Sequence, residues 1–146
     1  MTPPSFARLL GAAGLLPQLA VAFVLLEHNN ELRFSALAMG YAYAALILSF
    51  LGGLWWGLAA KTAAAPAWLW AVAVLPSLIA LGSAAPWAVG EPWPGPSLIV
   101  LGVALIAALG VDWQLQRTAI APPWWLKLRV PLSAGLGTLT ILLAYL

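Results

Sequence analysis

The chain has 146 residues, of which 64% are hydrophobic and only 7% charged. A water-soluble domain carries about 25% charged residues, so this chain cannot cover its own surface in water, and a lipid bilayer is the solvent its composition fits. The net charge of +2 comes from six scattered Lys and Arg with no basic patch, so no nucleic-acid partner is expected. The absence of cysteine excludes disulfides and thiol chemistry, and one His with four acids is too few for an ordinary metal centre.

Five uncharged stretches run from Leu9 to Leu26, Phe34 to Ala60, Thr62 to Gly90, Pro92 to Val111 and Val130 to Leu146. A helix needs about 20 residues to cross the hydrocarbon core. The runs are continuous and rich in Leu and Ala, without the alternation of a barrel strand, so the expectation is one all-α domain over 1–146, a bundle of five transmembrane helices. The spans are placed at 6–27, 35–60, 66–85, 96–117 and 123–145. The first resembles a signal peptide in having Arg8 before an apolar run. It ends in Leu25-Leu26-Glu27-His28 with no small-residue cleavage site, so it is read as retained. The polar turn from Glu27 to Glu31 follows, and its His28 reads as a solvated loop residue. Pro66 and the pair Pro122-Pro123 open helices, as proline in a first turn does. The four prolines between Ala85 and Pro96 mark a loop. Pro17, Pro76 and Pro131 fall inside helices and predict kinks, and Gln18 is placed to satisfy backbone freed by Pro17.

Charge sets the expected orientation. One side receives Arg8, Lys61, Arg117, Lys127 and Arg129, and the other only Arg33 among Glu27, Glu31 and Glu91. This bias puts the N-terminus in the cytoplasm (or the matrix of an organelle) and the C-terminus opposite. Seven tryptophans, Trp55, Trp56, Trp68, Trp70, Trp113, Trp124 and Trp125, fall on the positive side, and Trp87 and Trp93 on the other. They form either an interfacial anchoring belt or an aromatic pocket open to the cytoplasmic side.

On the second helix Ala45, Ser49, Gly53 and Gly57 recur every four residues, with Gly52 broadening the groove. Small residues at this spacing allow close backbone approach. Ser133 and Gly137 offer a counterpart on the fifth helix, and Ala104 and Ala108 on the fourth. The stripe serves packing within the chain, a homodimer face or a flat ligand. The Ser49 hydroxyl is expected to bond the carbonyl one turn back. Asp112 lies about one turn inside the positive boundary, where an acid pairs or faces a wet cavity. Its possible partners are Arg117 and Arg129, with Arg129 better placed if the last two helices are antiparallel neighbours. The pair is either structural or part of a ligand or proton site. Trp113 and Arg117 share a face and fit a cation–π contact. No nucleophile–base pair, phosphate loop or paired-His motif is present. Five spans do not divide into inverted halves, and no charge cluster lines a span, which argues against the familiar transporter and channel plans.

The segment from Tyr43 through Ser49-Phe50-Leu51-Gly52-Gly53-Leu54-Trp55-Trp56-Gly57 resembles the "AVILSFLGG-x-HWG" signature of a bacterial family of small multi-pass membrane proteins of unknown function. That family is similar to a domain of a mitochondrial transmembrane protein of animals. Leu10 to Pro17, Leu75-Pro76-Ser77-Leu78, Asp112, Pro123 to Arg129 and Leu132-Ser133 extend the resemblance over nearly the whole chain. It implies a membrane fold, gives weight to Ser49, Gly52, Gly53, Trp56, Asp112 and Arg129, and carries no activity. Where the family often has His this chain has Trp55, so any ligation or titration by that His is lost here. Five helices and many tryptophans are also similar, in architecture alone, to the tryptophan-rich sensory (translocator) proteins, which bind tetrapyrroles and sterols.

Three functions follow as expectations. The first is an accessory, scaffold or assembly protein that contacts other membrane proteins or itself through small-residue faces. The second is a binding or transport protein for a tetrapyrrole, quinone or lipid, using Trp55, Trp56, Asp112, Trp113, Arg117, Trp124, Trp125 and Arg129. The third is a lipid-modifying enzyme with Asp112 as base. Membrane lipids are partners in each case, the cofactor is left unknown, and the expected location is a bacterial inner membrane.

Overall fold

A computed structural model describes residues 1–146 and is helical throughout, with no strand. The helices are α1 (Ser5–Ala13), α2 (Leu16–Leu26), α3 (Asn30–Lys61), α4 (Ala67–Gly82), α5 (Ala85–Ala88), α6 (Gly95–Arg117) and α7 (Trp125–Leu143). They compose five segments long and apolar enough to cross a membrane: Ser5–Leu26, Asn30–Lys61, Ala67–Ala88, Gly95–Arg117 and Trp125–Leu143.

Several boundaries move from their sequence expectation for local reasons. The first span is broken between α1 and α2 just before Pro17, which lacks the N–H that would continue the ladder. The Gly14 carbonyl at the break instead accepts the Tyr43 hydroxyl from α3. The second span starts five residues before the expected 35, because the Asn29 side chain caps the Glu31 and Leu32 N–H groups. Asn30 and Glu31 of the polar turn are therefore helix. His28 remains exposed in what is left of it, with φ 56. The proline-rich loop holds the single turn α5, and α4 carries Pro76 inside it.

The interior is a stripe down α3. Ala44, Leu48, Leu51, Trp55 and Ala59 are buried against Leu69 and Ala73 of α4 and Leu101, Leu105, Ala108 and Leu115 of α6. This register is one residue off the small-residue stripe read from sequence. Ala45 and Ser49 are only partly buried, and Gly53 and Gly57 are exposed, with nothing within 4 Å of where a Cβ would stand. The large side chains take the interior, and the glycines beside them turn outward. Gly52 is the residue that lets α4 approach: a Cβ there would lie 2.4 Å from the Ala73 carbonyl oxygen. Gly137 does the same for α6 and α7, opposite Gly102. A Cβ on either would fall within 2.8 Å of the other's carbonyl oxygen. The last two long helices are thus close antiparallel neighbours, as their short connection predicts.

Two polar links replace sequence expectations. Ser49 Oγ bonds Ser77 Oγ of α4 at 2.7 Å rather than a carbonyl of its own helix. Gln18, fully buried, does not serve the backbone beside Pro17. Its Nε2 donates to the Gly40 carbonyl (3.1 Å) and to Thr140 Oγ1 (2.9 Å), joining α2, α3 and α7 near mid-bundle. The chain ends lie at opposite ends of the bundle: Lys127 Nζ, near the start of α7, donates to the Met1 carbonyl, and Arg33, near the start of α3, to that of Leu146.

Candidate functional site: a buried ion pair beside an apolar cavity

Asp112 and Arg129 meet because α6 and α7 run antiparallel through the glycine contact, which brings the end of one against the start of the other. Arg129 Nε lies 2.9 Å from Asp112 Oδ2. Asp112 is 0% exposed and Arg129 7%. The other carboxylate oxygen, Oδ1, accepts two indole N–H groups, from Trp55 of α3 (3.0 Å) and Trp125 of α7 (2.9 Å). Three donors therefore satisfy the carboxylate, which is what allows an acid to sit in a dry interior. One turn along α7, Ser133 Oγ accepts from Arg129 Nη2. Arg129 Nη1 donates to no protein atom, and neither does the Ser133 hydroxyl. Arg117, the alternative partner, is not used. It stacks on Trp113 with its guanidinium carbon 5.0 Å from the ring centroid, and both residues face outward.

The eight positions proposed from sequence thus separate. Trp55, Asp112, Trp125 and Arg129 form one hydrogen-bonded centre. Trp124 packs obliquely on Trp125, with ring centroids 6.0 Å apart. Trp56 does not join them: it is 48% exposed and meets Trp70 edge to face at 4.8 Å. Trp113 and Arg117 also stand apart. Of the packing positions, Gly52 and Gly137 are at helix crossings, Ser133 belongs to the ionic centre, Ser49 links α3 to α4, and Gly53 and Gly57 touch nothing.

Beside this centre lies a cavity of about 420 Å³, within the range of small-molecule sites. Its walls include Ala7, Leu10, Gly11 and Gly14 of the first span, Tyr43, Ile47, Phe50 and Leu54 of α3, Leu105 of α6, and Trp124, Trp125, Leu128, Arg129, Leu132, Ser133 and Leu136 around α7. Hydrocarbon dominates, and Arg129 and Ser133 are the polar side chains of the α7 wall. Tyr43 stands in the α3 wall, with its hydroxyl on Gly14. Asp112 is not in the wall. It lies behind Arg129 and fixes it. Only two indoles, Trp124 and Trp125, reach the cavity, so a pocket built from seven tryptophans is not what the fold makes.

The α1 wall and Tyr43 were not legible as site residues. Only the break at Pro17 hinted that the first span bends around something. No group of three or more His, Asp or Glu side chains is assembled anywhere that would hold a metal ion.

Five apolar spans closed around one internal ion pair define a polytopic helical membrane protein with a buried polar centre. The chain belongs to the family described as "Protein of unknown function (DUF3429)", whose model matches residues 3–145. No curated protein and no solved structure matches it.

Proposed function

We propose that this protein binds or carries a hydrophobic small molecule inside the membrane, in the cavity between the first span, α3 and α7. The observation that carries this reading is the placement of Arg129 and Ser133, with donors left over, in the wall of an otherwise apolar cavity. A charged group kept at membrane depth is costly, and such groups mark functional sites by default. The reading places the chain in a bacterial inner membrane. The N-terminus and the positive end, with Lys61, Arg117 and Lys127, face the cytoplasm. The ion pair sits just inside that interface.

Extraction in mild detergent followed by mass spectrometry of the native complex tests the reading. A lipid-like molecule retained at about one per chain is the expected result. An empty cavity together with a stoichiometric protein partner would contradict it.

A second reading is an accessory role through helix–helix contact. It is favoured by the α3 face of Gly53 and Gly57, which nothing else in the chain covers and which suits close approach of another helix.

A further inference from the structure

The size and charge of the cavity narrow what it can hold, on the reading that it is a ligand site. Its walls follow α3 from Leu54 to Tyr43 and α7 from Trp125 to Leu136, a length of about 16 Å at 1.5 Å per helical residue. A volume of about 420 Å³ lies toward the low end of small-molecule cavities, so the occupant is small.

The polar part of the wall is a pair of donors. Arg129 Nη1 and the Ser133 hydroxyl have no protein acceptor, so the head of the ligand supplies one. Its charge follows from Asp112. The guanidinium is already neutralised by a carboxylate that is fully buried and held by Trp55 and Trp125, so Asp112 has nowhere to go. An arriving anion would leave a net negative charge among hydrocarbon, which is unfavourable for a buried ion without a partner. A cation would face the free donors of a cation. An uncharged acceptor completes the hydrogen bonds and leaves the local charge at zero.

We infer that the cavity takes one small amphiphile whose polar group is an uncharged carbonyl, seated on Arg129 Nη1 and Ser133. Esters and quinones share this chemistry.

The test uses the full chain in lipid nanodiscs at pH 8 and five probes built on a ten-carbon chain: methyl decanoate, decylubiquinone, decanoate, decyltrimethylammonium and decane. Binding is read from thermal stabilisation, against Leu132→Trp and Ile47→Trp variants that fill the cavity. Methyl decanoate, decylubiquinone or both are expected to bind at least tenfold more tightly than decanoate and the ammonium probe, and to lose this in the filled variants. Whichever of the two binds better distinguishes an ester source from a quinone source. Decanoate binding as tightly as the carbonyl probes would overturn the neutral-head assignment and leave the ligand reading standing. Decane binding as tightly would remove Arg129 and Ser133 from recognition. No binding by any probe would overturn the carbonyl-amphiphile assignment, and a native complex that also carries no small molecule would take the ligand reading with it.

Discussion

Trp55 and Trp125, on helices far apart in sequence, donate to the same oxygen, Asp112 Oδ1, at 3.0 and 2.9 Å. Together with Arg129 on Oδ2 they make Asp112 the point where α3, α6 and α7 are tied at the positive end of the bundle. The carboxylate does not reach the cavity. Its part is to hold Arg129 in the cavity wall.

Removing one charge of the pair strands the other. Asp112→Leu and Arg129→Met are each expected to cost about 3–5 kcal/mol, the range for breaking a buried pair. The double variant recovers a large part of this, because neither ion remains. Thermal melting of the three variants in one detergent measures the recovery. Additive losses would mean that the two residues do not act as a pair.

Trp55 offers Asp112 an N–H from the five-membered part of its indole. Histidine places Nε2 at the corresponding ring position, so Trp55→His keeps a donor toward Oδ1 and loses only the packing of the benzo ring. Trp55→Phe keeps the ring bulk more nearly and loses the donor. Trp55→His is therefore expected to hold the ion pair better. The readout is the Trp125 indole N–H chemical shift, which reports the shared oxygen: little change in Trp55→His, a larger displacement in Trp55→Phe. The reverse order would mean that ring volume, not the donor, matters at this position.

Adjacent glycines on α3 are expected to respond oppositely. Gly52→Ala puts a methyl 2.4 Å from the Ala73 carbonyl oxygen, so α4 must shift. A loss of at least about 1–3 kcal/mol follows, as for overpacking. Gly53→Ala meets nothing within 4 Å, and the higher helix propensity of alanine makes it neutral or stabilising by up to about 1 kcal/mol. Unfolding in denaturing detergent ranks them. Equal sensitivity at both positions would point to a partner on the Gly53 face.

Tyr43→Phe removes the hydroxyl that holds the Gly14 carbonyl at the break of the first span. Side-chain hydrogen bonds in membrane bundles average about 0.6 kcal/mol, so the fold survives. α1 has no buried residue of its own, and hydrogen exchange is expected to rise over Ser5–Ala13 while α3 and α6 keep their protection. Uniform loss of protection would give Tyr43 a global role instead.

The five apolar spans were legible because bilayer thickness imposes a length on them, and the Asp112–Arg129 pairing because few partners exist at membrane depth for a buried acid. The buried face of α3 was not. In lipid both faces of a helix are apolar, so small-residue spacing suggests two registers one residue apart, and packing of Leu48, Leu51 and Trp55 selects between them. The same ambiguity hid the cavity, whose walls are ordinary Leu, Ile and Phe. It also scattered the tryptophans, whose side of the membrane follows from topology but whose helix face does not. Gln18 and Ser49 found partners on other helices, Thr140 and Ser77, that no local rule selects.

Native mass spectrometry of the wild-type chain beside Leu132→Trp and Ile47→Trp tests whether the cavity beside Arg129 is an occupied ligand site. An added mass of one small hydrophobic molecule is expected on the wild type, lost or sharply reduced in both filled variants while all three proteins melt cooperatively. The same added mass on folded, filled variants, or none on any of the three, would contradict it.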